Sequence, residues 1–394
     1  MDATNPTPSL EELIEALQNP SWEVRRPAIK ALAAVGTPAV QPLISLLRHK
    51  RHVVRNAAAT TLGQLGGAAK PAVVSLAGLL SDEEETVRIT AAHALGNIGP
   101  EAADAAPALV ELLHGWKKEA RFSVAQALKR IGAPAVAPLI HCLEHPVLTA
   151  RYAALEVLGD MGELAVPALC DALRNDDERV RVAAAEAMAG MGAAARSAVK
   201  PLIGALRDRS ARARTAAANA LGALRHSAAA AVAPLLDALR DQDAPVRAAA
   251  AGALGAIGQD APACVGAIAK LIKDEDRNVR REALEALGAF RSSAAAVLPA
   301  IIEATHDEAP GVAYLAAKAC ARIGSAARDA VPTMIELLGS EDERVRDGAA
   351  FALGRIGSAA RSALPALSKL LNDPSIDVAR SAAEAVERIR SAAQ

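Results

Sequence analysis

Aromatic side chains are almost missing from this 394-residue chain, which has two Trp, two Tyr and three Phe. Large rings normally supply much of a core's buried area. The interior must therefore be assembled from closely packed small aliphatic residues, and any ring on the outside is conspicuous. Cysteine is scarce as well: Cys142, Cys170, Cys264 and Cys320 are scattered without a C-x-x-C pair. That excludes a disulfide framework and leaves reduced, buried thiols as the simplest account. No apolar run reaches about 18 residues, so no membrane-spanning helix is expected. The opening stretch, MDATNPTPSLEELIEAL, has acids and early prolines where a secretory leader needs a basic segment and an apolar core. A cytoplasmic protein is expected. Charge of one sign is lacking too, with 44 Lys and Arg against 45 Asp and Glu. There is thus no general electrostatic pull toward nucleic acid or an anionic membrane. Gly-rich phosphate loops, a Ser nucleophile elbow and an HExxH zinc motif are all absent.

What the chain has is one unit written many times. Taking Arg346 as an anchor, the same position recurs at Arg25, Arg55, Arg88, Arg121, Arg151, Arg181, Arg214, Arg247, Arg280, Ala313 and Ala379, always 30 or 33 residues apart. A fixed period in the range of about 20–50 residues marks a solenoid. Twelve repeats are expected, ending near residues 36, 66, 99, 132, 162, 192, 225, 258, 291, 324, 357 and 394, in one domain from 10 to 394 behind a short tail, 1–9.

Each repeat reads as two helices. Apolar residues fall one before, three after, seven after and ten after the anchor, as with Val345, Ala349, Leu353 and Ile356, which lines one face of a helix. Upstream pairs such as Met334, Ile335, Leu337 and Leu338 form the stripe of a preceding helix. Acidic turns such as Ser340-Glu341-Asp342-Glu343 join the two and suit the positive end of the second helix. Eleven after the anchor, nine repeats carry Gly, from Gly36 to Gly357, where a helix end needs a left-handed residue. Repeats seven and nine have Arg225 and Arg291 there instead, so less regular connections are expected, and Pro310-Gly311 marks repeat ten as the most irregular turn. A Pro 13 or 14 before the anchor keeps its distance in nine repeats, which puts the three-residue length difference between repeats.

The pattern V-R-x-x-A-A-x-A-L-G-x-I-G resembles the HEAT repeat, in the short form also found in the phycobilisome-lyase-like group of bacterial proteins. The resemblance runs from about Leu10 to the end. It implies an all-α, right-handed superhelical solenoid with first helices convex and second helices concave. It also implies a binding surface, the partner being left open. Some HEAT-type enzymes hold two irons with His-Glu pairs, but none of the eight histidines here precedes Glu. No catalytic residue, cofactor or metal is expected. His141, Cys142 and His145 form the one compact donor group, and they read as a helix end with exposed histidines.

Two sets of residues stand out. Six before the anchor, Asp82, Asp208, Asp241, Asp274, Asp307 and Asp373 occupy the turn, with Asn19 and Asn175 as partial substitutes. An Asp there can take backbone N–H bonds and a guanidinium fork from a neighbouring anchor such as Arg88, Arg214, Arg247 or Arg280. This structural ladder is favoured over a phosphate-binding row, because acids neutralise it. The second set lies on the outward columns of the second helices. One after the anchor, Ile89, Phe122, Tyr152 and Val182 follow in succession as an apolar strip, bordered by Glu156, Asp160 and Glu186. Trp22, Tyr314 and Phe351 fall on outward columns too, whereas Phe290 is in the core column and Trp116 in a turn. Rings kept for the outside suggest contact sites. A monomeric, non-enzymatic scaffold binding a protein or peptide is expected. An accessory of a lyase-type enzyme and a nucleic-acid binder remain as alternatives, the latter disfavoured by the acids beside the strip.

Overall fold

The computed structural model describes residues 8–113, 118–258 and 261–392. All regular structure in them is helical, and the chain is an all-α solenoid. Its contacts gather into two compact units, Met1–Ala187 and Met188–Gln394. Most of the tail and the turn containing His114, Gly115, Trp116 and Lys117 lie outside the described residues. Ser9, read as tail, instead starts the first helix, Leu10–Leu17. Its hydroxyl accepts the Glu12 N–H while the Glu12 carboxylate accepts the Ser9 N–H at 2.7 Å. This reciprocal box satisfies two donors that would otherwise face water.

A repeat consists of a short first helix, such as Val331–Leu337, and a longer second helix, such as Glu343–Ile356. Where repeats are 33 residues apart, the connection is a 3₁₀ stretch such as Gly324–Ala330 or Gly357–Ala363, except after Gly258, where the helix Ala261–Ala269 follows. Where they are 30 apart it shrinks to Thr37–Ala39 or Gly162–Leu164, or to Gly132 alone before the helix Ala133–Cys142, so the extra residues do sit between repeats. The connections after repeats seven and nine correct the expectation of irregularity. Arg225–Ala231 and Arg291–Val297 are the same 3₁₀ stretch, and Arg225 and Arg291 take the left-handed φ of +52° themselves. An L-residue bears a steric cost there of about 1–2 kcal/mol, which the surrounding packing absorbs. The Pro310-Gly311 turn is regular as well. Its N-cap residue Ala309 has φ −90° and ψ 111°, beside −94° and 119° at the equivalent Asp243.

Within each unit, successive second helices lie against one another. Their closest approach is a glycine eight after the anchor resting on an alanine six after the next. A Cβ built on Gly96 would lie 2.8 Å from Cα of Ala127, and one on Gly255 2.8 Å from Cα of Ala286. No side chain fits at such points, which is why the seam is made of Gly and Ala. The core beside it is aliphatic, with Leu95, Leu254 and Leu353 fully buried and Phe290 at its edge.

The anchor arginine does two separate jobs. Its Nη1 donates to carbonyls of its own turn: Arg247 reaches Asp241 O at 2.9 Å and Gln242 O at 3.1 Å, and Arg88 reaches Asp82 O and Glu83 O. Its Nε and Nη2 form a fork to the aspartate 27 residues later, in the next repeat. Arg55–Asp82, Arg214–Asp241, Arg247–Asp274, Arg280–Asp307 and Arg346–Asp373 all bond this way at 2.7–2.9 Å. The residue six before the anchor has its own second task. In every repeat whose turn is described, its side chain accepts the N–H two residues on. Aspartates do so at Asp208 and Asp274, but so do Asn19, His49, His145, Asn175 and Ser340. Only the aspartates add charge to the joint. Repeat ten lacks its anchor arginine, and the position 27 residues after Ala313 is Ser340, so both halves of that rung are missing together.

Burial works against ionisation of Asp82, Asp241 and Asp274. The guanidinium fork and the backbone N–H bond nevertheless outweigh it and hold each carboxyl below its ordinary value. For Asp373 the Arg346 fork is itself the largest influence, in the same direction. Depressed folded values mean that this stabilisation is complete above the unfolded carboxyl value of 3.8 and is lost as pH falls below it through the folded values. Arg247→Ala strands the buried Asp274 carboxylate and is expected to destabilise the fold by about 1–3 kcal/mol in denaturant titration. The gap to the wild type should narrow below about pH 4 as Asp274 is protonated; an unchanged midpoint would remove the structural role. Arg291→Gly relieves the left-handed strain, less the added unfolded-state entropy, and should raise stability by about 0.5–1 kcal/mol in the same assay.

Candidate functional site

The second helices present one outward face. Positions five and nine after the arginine turn away from the core, and position one is exposed at most of its long side chains. The expected outward column two after it is instead mostly buried or half-buried, as at Ala57, Ser123, Ala183, Ala216 and Leu315, because it packs on the neighbouring helix. In the first unit this face carries two rings on neighbouring helices, Phe122 on Lys118–Ile131 and Tyr152 on Leu148–Met161, which are 64% and 59% exposed. The expected strip is shorter than four residues. Ile89 is half-buried and Val182 is 9% exposed, since a short β-branched side chain in this column lies low beside its neighbours where a Phe or Tyr ring projects. Leu148, one helical turn before Tyr152 and on the same face, is exposed and extends the patch instead. Its column, three before the anchor, is among the outward ones, and the signal was a leucine where most repeats have a charged or small residue, Trp22 and Ile376 being the other large apolar residues there. Glu156, Asp160 and Glu186 are exposed as expected, but Asp160 is held by Lys129 at 3.0 Å. Glu156 and Glu186 therefore supply most of the acidic border.

In the second unit the rings are arranged differently. Phe351 is at the margin of exposure and Tyr314 is half-buried. Tyr314 lies flat on the next second helix, where a Cβ on Gly348 would meet its Cδ2 at 2.9 Å. Glycine inside a helix costs about 0.5–1 kcal/mol relative to alanine, and Ala57, Ala153, Ala216 and Ala249 fill the same column elsewhere. The exchange at Gly348 makes room for the ring. The Lys318 ammonium also sits over the ring, 5.1 Å from its centroid, a cation–π contact. Beside Tyr314 opens a groove of about 530 Å³, and a depression of about 680 Å³ lies over the small residues of repeats seven to nine, its lining including Arg225, Arg322, Glu282 and Glu285.

The first-helix side of the first unit holds a third hollow, of about 430 Å³, lined by Pro107, Val110 and Pro138 together with His141, Cys142 and His145. The three donors do not converge. His141 is exposed and faces Glu144 at 3.4 Å, the His145 Nδ1 accepts the Val147 N–H, and the Cys142 thiol is directed at the Ala150 carbonyl. Burial, with help from the Glu111 charge, pushes the Cys142 thiol up to about 11. Burial pushes Cys320 to about 12. Cys264 is buried as well, whereas Cys170 is only partly covered. Burial raises Cys170 too, so the Cys142, Cys170 and Cys320 thiols are protonated at neutral pH and poor ligands.

The repeat geometry is matched by a known family. HEAT repeats are recognised over residues 10–77, 69–129, 106–189, 166–233, 232–308 and 298–387, which together take in nearly the whole chain. The chain belongs to the HEAT-repeat family. No curated protein matches it. Among solved structures, the HEAT solenoid is similar to the karyopherin Kap121p bound to the extreme C-terminus of the protein phosphatase Cdc14p, with TM-score 0.63 and 14% identity over 98% of this chain and 49% of that one. Kap121p bound to Pho4p gives the same score and identity over 99% and 52%. Kap95p, solved in binding RanGDP, gives 0.53 and 13% over 98% and 67%. The chain thus spans about half the length of the Kap121p molecules, and at these identities the likeness is one of fold.

No helix of the described residues is long and apolar enough to cross a membrane, and no group of three His, Cys, Asp or Glu among them could hold a metal ion. Since the one compact donor set among the described residues is turned onto other partners, purified HEAT protein is expected to carry no stoichiometric metal. Elemental analysis finding about one zinc or two irons per chain would overturn that, with His141, Cys142 and His145 the first residues to substitute.

Proposed function

We propose that this HEAT protein is a non-enzymatic scaffold that binds a protein segment on the second-helix face, centred on Phe122 and Tyr152. The observation that carries the reading is the placement of the two most exposed rings among the described residues. A chain with three Phe and two Tyr sets two of them side by side on neighbouring helices, with Leu148 adjoining, and leaves them open to water. Contiguous exposed apolar surface is unfavourable unless a partner covers it. The solved karyopherins of similar fold support the same class of activity, because one is bound to a protein C-terminus and another to Pho4p. Glu156 and Glu186 border the rings, so the segment that fits has apolar anchors and basic flanks, in either a helical or an extended form.

A desolvated aromatic at an interface centre commonly contributes about 2 kcal/mol or more. Phe122→Ala combined with Tyr152→Ala should therefore weaken the captured partner at least about tenfold in calorimetry, while circular dichroism stays unchanged. The partner is obtained by affinity capture and cross-linking in the native organism. Binding should also weaken as salt rises, because exposed carboxylates act through screened charge. Normal affinity in the double variant, or cross-links confined to the first helices, would refute this placement.

A further inference from the structure

The groove beside Tyr314 has the opposite electrostatic character from the Phe122–Tyr152 patch. Its walls come from three second helices, Arg277–Ala289, Pro310–Ile323 and Glu343–Ile356, which contribute Arg277, Arg281, Lys318 and Arg344 against the one carboxylate of Glu285. Arg344 is committed to Asp342 at 3.0 Å. The acids nearby are similarly engaged: Asp276 caps its own helix through the N–H groups of Asn278 and Val279, and Asp342 caps the next one. Between them, repeat ten starts its second helix at Ala309 with no side-chain cap, so the middle of the groove has no acid where both neighbours have one. Arg277, Arg281, Lys318 and Glu285 are left to set the sign. The apolar part of the lining is formed by the Tyr314 ring, packed on Gly348 and in cation–π contact with Lys318, and by the buried Leu315.

We propose that this groove is a second binding site, for an acidic peptide segment whose carboxylates are taken by Arg277, Arg281 and Lys318 while an apolar side chain lies on Tyr314. The charge complementarity is local. The depression along the same face balances Arg225 and Arg322 with Glu282 and Glu285, so the net positive charge ends with the groove and a continuous phosphate backbone leaving it on that side would find no further excess of cations. A peptide can place its acids over the three cations and neutral residues elsewhere, whereas a nucleic-acid strand cannot interrupt its charge. The ring held in position in advance favours binding because little side-chain freedom remains to be lost.

The test uses the full chain and a fluorescein-labelled peptide built of Glu, Asp and Leu, followed by fluorescence anisotropy at low and physiological salt. Wild type should bind it with affinity falling as salt rises. Arg281→Glu with Lys318→Glu should weaken it by at least about tenfold, Lys318→Arg should retain it, and Gly348→Ala, which displaces the Tyr314 ring, should weaken it about threefold with the thermal midpoint monitored alongside. The Phe122→Ala, Tyr152→Ala variant should bind the acidic peptide normally, which separates this site from the other. Equal binding by the charge-reversed variant, no binding by wild type at low salt, or displacement of the peptide by an oligothymidylate of higher affinity would each overturn the proposal.

Discussion

The guanidinium of the anchor arginine ties down the turn it belongs to and the turn of the next repeat at once. One nitrogen closes the local carbonyls, as in Arg280 with Asp274 and Glu275, and the remaining edge holds Asp307 of the following repeat. Lysine could not do both, because the planar fork is what lets separate edges of one group face separate partners. The free energy of a sheltered ion pair is nearly balanced by its desolvation, so the rung's main contribution is to register. It specifies which turn lies over which. The Gly–Ala seam between second helices brings close contact but little apolar area per residue, and such a seam can slide. The ladder prevents sliding in a direction that dispersion alone would leave soft.

Much of this architecture was legible in the sequence, because a pattern repeated twelve times averages away the noise of any single helix. The apolar columns, the left-handed stop and the position of the length difference all came from spacing. The partner of the ladder did not come fully. Asp241 lies six before Arg247 and 27 after Arg214, and a sequence alone does not say which arginine its carboxylate faces. The paired loss of Ala313 and Ser340 held the answer, since a rung that loses its arginine has no further need of its acid. Arg225 and Arg291 misled for another reason. A single unfavourable φ is a small local term, and the helices on either side fix the connection strongly enough to override it.

The outward face was legible as a set of columns, though not in relief. Column membership says which way a residue points, while exposure depends on how far its side chain reaches beyond its neighbours. Hence Phe122 and Val182 share a column and differ fully in accessibility. Tyr314 shows the reverse case, a ring turned down because the facing helix has a glycine to receive it. Predicting that required reading Gly348 and Tyr314 together, 34 positions apart in the chain. Charge was similarly hidden: the near-zero total of the whole molecule conceals a cationic groove in one unit and carboxylates beside exposed rings in the other.

The offset of the rung also bears on how such a chain can grow. An arginine bonded to an aspartate 27 residues on leaves six residues before the next arginine, and the two intervals add to the 33-residue period. Within the run from Arg214 to Asp307, where each 33-residue unit carries both the arginine and the acid, duplication of a whole unit therefore preserves every rung wherever its ends fall, each new arginine finding an acid already in place. A gene could lengthen this array by unequal crossing-over without a single compensating substitution. The 30-residue units break that rule: His49, His145 and Asn175 stand at the positions of the acid in them. They mark places where the ancestry of the array departed from simple copying.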